Sequence, residues 1–250
     1  MNLLFMATLA AHLLALFSSK SHKPYFLLLL TASALQTILC GQILLSDAGW
    51  HFSAQNACLV VSWLTNIIIL VSRFYLLLTR ILTHLIAIGV LLWIYWLPFP
   101  SEPKPYVWTL DLHILFSILA YSLLFVSSIV SLNLGIQIHK MKKNVFISQS
   151  MNINSLLKNE EKLFRMIVFG WLFLSCALVT GIMFVKGFLS DGMGHKVIFS
   201  LAAWVLFALL IVGRLTKGWR GKTAIKLNLL AMTFLMLGFL GSYVVLDYLI

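Results

Sequence analysis

Long apolar runs alternate along this chain with short polar breaks. Crossing a bilayer takes a helix of about 20 mostly apolar residues, with a range of roughly 17–25. Stretches of that kind lie near 2–18, 25–45, 54–72, 78–98, 109–136, 163–186, 197–213 and 225–247. The pattern predicts an all-α fold, a polytopic transmembrane helical bundle of about eight spans. It forms a single membrane domain over 1–250, with no soluble domain, low-complexity tract or internal repeat. The fifth run is longer than a span requires, so its helix projects beyond the membrane or tilts within it. The thinnest break separates the third and fourth runs, where only Arg73-Phe74-Tyr75 and then Arg80 interrupt the apolar sequence. Met1–Ser18 reads as a first span inserted N-terminus outward: a signal peptide places its basic residues before the apolar run, whereas Lys20 and Lys23 follow it.

Charge turns this pattern into an orientation. One set of breaks holds Lys20, Lys23, Arg73, Arg80, Lys140, Lys142, Lys143, Lys158, Lys162, Arg165, Arg214, Lys217, Arg220, Lys222 and Lys226, and the other only Lys104, Lys186 and Lys196. Lys and Arg accumulate on the cytoplasmic side, so the first set is expected inside and both termini on the outer, periplasmic side. Asp47, Glu102, Asp111, Asp191 and Asp247 then fall outside or near the outer surface, and Glu160 and Glu161 inside. The largest break, about Ile138–Lys162, is expected to be a solvated basic loop near anionic lipid.

Composition agrees: 61% of the 250 residues are hydrophobic and 10% charged, against roughly a quarter charged in soluble domains. The net charge of +11 sits in the breaks, which makes it topological information and not the footprint of a nucleic-acid binder. Cys40, Cys58 and Cys176 lie inside apolar runs without a CxxC spacing, which argues against a disulfide framework and a thioredoxin-type site.

Chemistry in such a chain rests on the polar residues that the membrane tolerates. No Asp or Glu lies at mid-depth of a span, which counts against a carboxylate-based pump. His22 and His139 fall in cytoplasmic breaks, where solvation explains them. His12 and His84, within spans, read as partners in interhelical hydrogen bonds, as do the amides Gln36, Asn56 and Asn66. Gly218-Trp-Arg-Gly-Lys-Thr223 lacks the spacing of a P-loop and reads as a tight basic turn. The orientation brings His51, His113 and His195 to the outer side. His113 opens the fifth span after Asp111, and at 100° per residue it shares one stripe with Ser117, Tyr121, Ser128 and Gly135. Ordinary small-residue packing explains the serines and the glycine; a flat ligand approaching the helix is the alternative. His195 precedes the seventh span and is followed by Lys196. Neutral imidazoles ligate haem iron, so His113 and His195 are candidate axial ligands. Lys196 or Lys186 would serve the propionates, and Tyr121, Trp50, Trp108 and Trp204 are candidate walls, although interfacial Trp is also a common anchor. No nucleophile–base pair or acid pair is placed for turnover, and the chain reads as a non-enzyme.

His113–Ser131 (HILFSILAYSLLFVSSIVS) resembles the helix that opens the cytochrome c assembly protein family, which includes CcsA- and HemX-like members. Lys196–Tyr243 does so too, with Trp204, Arg214, the turn Gly218-Trp219-Arg220-Gly221 and Phe239-Leu-Gly-Ser-Tyr243. The likeness is greatest to small YpjD-type inner-membrane members, strong over about 107–250 and weaker over 1–106, with Asn56 matching an Asn of the third span. The resemblance implies a bacterial inner-membrane, multi-pass protein of cytochrome c-type biogenesis that binds haem at the outer face and meets other maturation proteins. His113 then stands at the family's first outer histidine, and Lys196 at the lysine that closes its tryptophan-rich motif. That motif is missing, because Gly187–His195 (GFLSDGMGH) holds no Trp. No second outer histidine follows the last span, and Gln36 replaces a histidine that some members carry. A haem-related accessory role is therefore expected, in which either His195 substitutes as the second ligand, or haem is bound by one histidine, or haem is not bound at all. The competing expectations are a transporter or transport accessory for divalent metal ions using the same histidines, and a ligand-free membrane partner that regulates a cytoplasmic enzyme.

Overall fold

A computed structural model describes residues 2–18, 22–46, 49–51, 53–73, 76–97, 105–143, 153–184 and 194–248. Among them are the helices α1 (Asn2–Phe17), α2 (His22–Leu44), α3 (Ala54–Ser72), α4 (Leu77–Trp96), α5 (Trp108–Lys143), α6 (Ile153–Phe184), α7 (Gly194–Lys217) and α8 (Lys222–Tyr248). Seven are long and apolar enough to cross a membrane, while Leu3–Phe17 in α1 is shorter. The protein is thus an all-α, multi-pass membrane protein. Its one sheet among the described residues is a two-residue antiparallel bridge of β1 (Leu45–Ser46) with β2 (Gly49–Trp50). The contacts divide the chain into two compact units, Met1–Asp111 and Leu112–Ile250, each described by itself below.

The helix ends follow local chemistry. Ser53 caps α3 by accepting the Asn56 N–H at 3.1 Å. Arg73 closes that helix in a left-handed conformation (φ 55°), its N–H reaching Ile69 O at 2.9 Å. The break between the third and fourth spans therefore exists, between Ser72 and Leu77 as expected to within a residue. Arg80, expected in that break, stands in the first turn of α4 and is only 6% exposed. It is tolerated there because its guanidinium lies 3.9 Å from the Tyr25 ring centroid and donates to Ser18 Oγ at 2.8 Å.

The expected loop Ile138–Lys162 is also corrected. α5 runs on to Lys143 and α6 begins at Ile153, so most of the segment is helical, and 144–152 lie outside the described residues. Lys, Glu and Leu are good helix formers. Glu161 and Arg165 pair one turn apart at 3.8 Å, and buried Leu163 and Ile167 carry the core face of α6 along this end. The expectation that the fifth helix outruns its span holds, with α5 36 residues long. The turn between α7 and α8 is as tight as expected. Gly218 (φ 64°) and Gly221 (φ 58°) adopt the left-handed region, and the Trp219 N–H bonds Gly213 O at 3.2 Å.

Small residues set the close approaches of the second unit, as expected where van der Waals contact drives helix association. Trp219 lies flat where a side chain at Gly213 would stand. A Cβ at Gly238 on α8 would come 3.2 Å from Phe199 Cβ and 3.3 Å from Lys196 O, so α8 runs tight against the start of α7. A Cβ at Gly170 on α6 would come within 2.7 Å of Leu124 Cγ and Cδ2 on α5. Gly170→Ala is therefore expected to destabilise by about 1 kcal/mol net, overpacking costing about 1–3 kcal/mol and being partly offset by the roughly 0.8–1 kcal/mol that Ala gains over Gly in a helix. A melting midpoint in detergent equal to or above wild type would show that α5 and α6 separate at no cost.

Candidate functional site

His113 stands on the first turns of α5 in the second unit. Its Nδ1 lies 2.9 Å from Ala177 O and 3.3 Å from Thr180 Oγ1, both on α6. A carbonyl only accepts, and the Thr180 hydroxyl already donates to Cys176 O at 2.8 Å. Nδ1 must therefore carry the proton, and in the neutral ring Nε2 is a free lone pair. An imidazole anchored through one nitrogen by a backbone carbonyl, with the other presented, has the arrangement of a metal-ligating histidine. Lys196, on the first turn of α7, is close enough for its charge to act on His113. Tyr121, two turns along α5 and partly buried, interacts with Ser200 of α7, and its ring lies 5.4 Å from that of Phe239 on α8.

The stripe read from the sequence thus faces α6, α7 and α8, but its members differ in what they do. Ser117 and Ser128 turn their hydroxyls back to the carbonyls of His113 and Leu124, at 2.7 and 3.0 Å. A Cβ at Gly135 would meet Ile225 side-chain atoms at 3.8 Å, an ordinary packing distance. These three pack. His195 lies in the first turn of α7, with its side chain outside the described residues, and Lys186 lies outside them altogether. His51 belongs to the first unit, where its backbone N–H closes the hairpin on Leu44 O at 2.8 Å. Trp204 stacks on Trp171 at 5.4 Å and donates to Ser175 Oγ at 2.7 Å, which ties α7 to α6. Trp108 is 70% exposed.

The first unit holds a second polar centre that the residues taken singly did not reveal. His12 Nδ1 and His84 Nδ1 meet at 3.0 Å across α1 and α4. His12 Nε2 lies 3.2 Å from Gln36 Oε1 on α2, and Gln36 reaches Ser62 Oγ (2.8 Å) and Asn66 (3.1 Å) on α3. His12, Gln36, Asn66 and His84 are all 0% exposed. The expectation of interhelical hydrogen bonds holds for these four. Asn56 instead fixes the hairpin, donating to His51 O at 2.7 Å. The signal available beforehand was position: each of the four sits near the middle of its span.

Compared with known proteins, the profile described as Cytochrome C assembly protein matches residues 2–250, almost the whole chain. The chain belongs to that family. It is also similar to the Inner membrane protein YpjD of Escherichia coli, in strains K12, O6:H1 and O157:H7. Each is 27% identical over 133 residues, covering 53% of this chain and 50% of the relative. The chain therefore spans about half the length of the curated relatives it matches. No solved structure matches it. The family is associated with haem handling, and the donor set around His113 fits one axial bond. Nδ1 carries its proton towards Ala177 O, Nε2 is unused by the contacts described, and the charge of Lys196 acts on the ring. Among the described residues no three His, Cys, Asp or Glu side chains converge on a metal-ion site.

Proposed function

We propose that this membrane protein of the cytochrome c assembly family is a haem-binding accessory protein, with its site at the outer face of the inner membrane. The observation that carries the reading is the His113 tautomer, held by Ala177 O so that Nε2 is the ligating atom. His113 would hold the iron through Nε2, and Lys196 would meet a propionate. Tyr121, beside Phe239 and Ser200, would form a wall, and His195 would be the second residue to hold the iron. When bound, haem would supply the iron centre that the maturation machinery handles; the chain's own residues bind and orient it. Placement in the inner membrane follows the relatives' name, and the outer face follows the sorting of Lys and Arg.

The test is an absorption spectrum of the purified protein in detergent with haem added. A sharp Soret band is expected, lost in His113→Ala and retained in His84→Ala, with both variants checked for folding by circular dichroism. No band in the wild type sinks the reading. A band that survives His113→Ala but disappears in His84→Ala would overturn the site.

A further inference from the structure

The hydrogen bonds of the first unit have a direction, and one backbone carbonyl sets it. The Ser62 hydroxyl has a single proton, and Leu59 O, 2.8 Å away, can only accept it. Ser62 Oγ must therefore accept from Gln36, so the Gln36 amide nitrogen faces Ser62 and Oε1 faces His12 and Asn66. The opposite amide orientation would make Ser62 give up one of its two bonds. With Oε1 facing it, His12 Nε2 must donate, which leaves His12 Nδ1 as an acceptor. His84 Nδ1 must then donate across the 3.0 Å contact, and the proton of the neutral His84 ring is used there. His84 Nε2 ends the chain as a bare lone pair. It is completely buried and has no hydrogen-bond partner among the described residues, and the same holds for Asn66 Oδ1, left as an acceptor by the same logic.

A buried acceptor without a donor costs about 1–3 kcal/mol, more than a membrane core retains without reason. What completes it must bring a donor. A proton or a metal dication would add charge to a buried site where the Arg80 guanidinium already lies over the Tyr25 ring at 3.9 Å and that ring stands edge-on to His84 at 5.7 Å. A neutral donor adds none. The direction of approach is also set. Phe5, Leu39, Leu44, Leu59 and Leu91 form an apolar plug on the hairpin side of the network, whereas Thr83, Thr79, Tyr25 and Arg80 continue it towards the other end.

We propose that the first unit contains a binding point for a neutral hydroxyl group, built at His84 Nε2 by the one-directional chain Leu59–Ser62–Gln36–His12–His84. Two sources share that chemistry: a trapped water, or the hydroxyl of a membrane-soluble phenol or hydroquinone. Nitrogen-15 spectra of the histidine-labelled full chain in lipid nanodiscs, with His84 assigned through His84→Gln, test the proposal. The expected result is an Nδ1-protonated His84 beside an Nε2-protonated His12. With water as the source, His84 Nε2 is hydrogen-bonded in the protein alone and unmoved by trimethylhydroquinone. With a membrane-soluble source, it moves saturably on adding trimethylhydroquinone but not its dimethyl ether. An Nε2-protonated or doubly protonated His84 at neutral pH overturns the proposal, as does a bare nitrogen that responds to neither. Ser62→Ala, which releases the amide of Gln36, is expected to turn the single His84 tautomer into a mixture. An unchanged tautomer in a folded Ser62→Ala would refute the chain, and the wild-type spectrum decides alone if that variant does not fold.

Discussion

Replacing Gln36 by leucine is expected to lower the stability of the protein by about 2–4 kcal/mol, measured as reversible unfolding in bicelles. Hydropathy predicts the opposite, because a leucine suits a transmembrane helix better than an amide does. That preference applies to a side chain facing lipid, and Gln36 is 0% exposed. It makes three interhelical bonds, to His12 at 3.2 Å, Ser62 at 2.8 Å and Asn66 at 3.1 Å. Interhelical bonds in membranes average roughly 0.6 kcal/mol and reach about 1.7. The substitution also strands a ring N–H and an amide N–H in the core, each costing about 1–3 kcal/mol unless a neighbour re-satisfies it. The lost bonds and stranded donors outweigh the gain in partitioning, which the unfolded helix in lipid shares. Ile38→Leu, two residues on and 54% exposed, provides the control and is expected within about 0.5 kcal/mol of wild type. Equal stabilities for the two variants would mean that the network contributes nothing.

Glu160→Ala is expected to cost about 2–3 kcal/mol and to loosen the turn between α7 and α8. Glu160 Oε1 accepts from Arg214 at 3.3 Å and from the Gly221 N–H at 3.3 Å, and lies 3.8 Å from Arg220. Glu160 and Arg214 are 15% and 14% exposed, so alanine leaves a half-hidden guanidinium with only the Phe164 ring, 4.3 Å away, as its described contact. Glu160→Gln retains an acceptor without the charge and should fall between. Glu161 is the contrast: its pair with Arg165 has the same residue types but is 67% and 64% exposed, so Glu161→Ala should change stability by less than about 0.5 kcal/mol. Faster hydrogen exchange at 218–222 in Glu160→Ala, and not in Glu161→Ala, would report the loosened turn. Equal effects of the two alanines on melting would refute the distinction.

The two acids show how far the sequence could be read. Glu160 and Glu161 are adjacent and identical in type, and both read as part of a solvated basic loop. Helical periodicity separates them only once α6 is known to begin at Ile153: one then turns towards Arg214 and the glycine turn, the other to solvent. Arg80 is similar. As a cation at a polar break it contributed to the sorting of charge, yet it folds inward because Tyr25 and Ser18, distant in sequence, meet it there. His113 was legible in advance because an ionisable residue at the head of an apolar run is conspicuous. Its tautomer was not, because Ala177 and Thr180 are on another helix.

By itself the sequence determined that this protein lives in a membrane, roughly where each helix runs and which family it belongs to. These follow from hydropathy and local motifs, which are properties of consecutive residues: no soluble fold hides 61% hydrophobic residues, and every backbone group in lipid must be satisfied within its own helix. Only the tertiary structure decided which polar side chains meet. Four single residues on four helices become one hydrogen-bonded chain with a defined direction, ending at the bare nitrogen of His84. The physical reason is that a side-chain hydrogen bond depends on distances of about 3 Å between residues far apart in sequence, and the register between helices that sets such distances is not a property of consecutive residues.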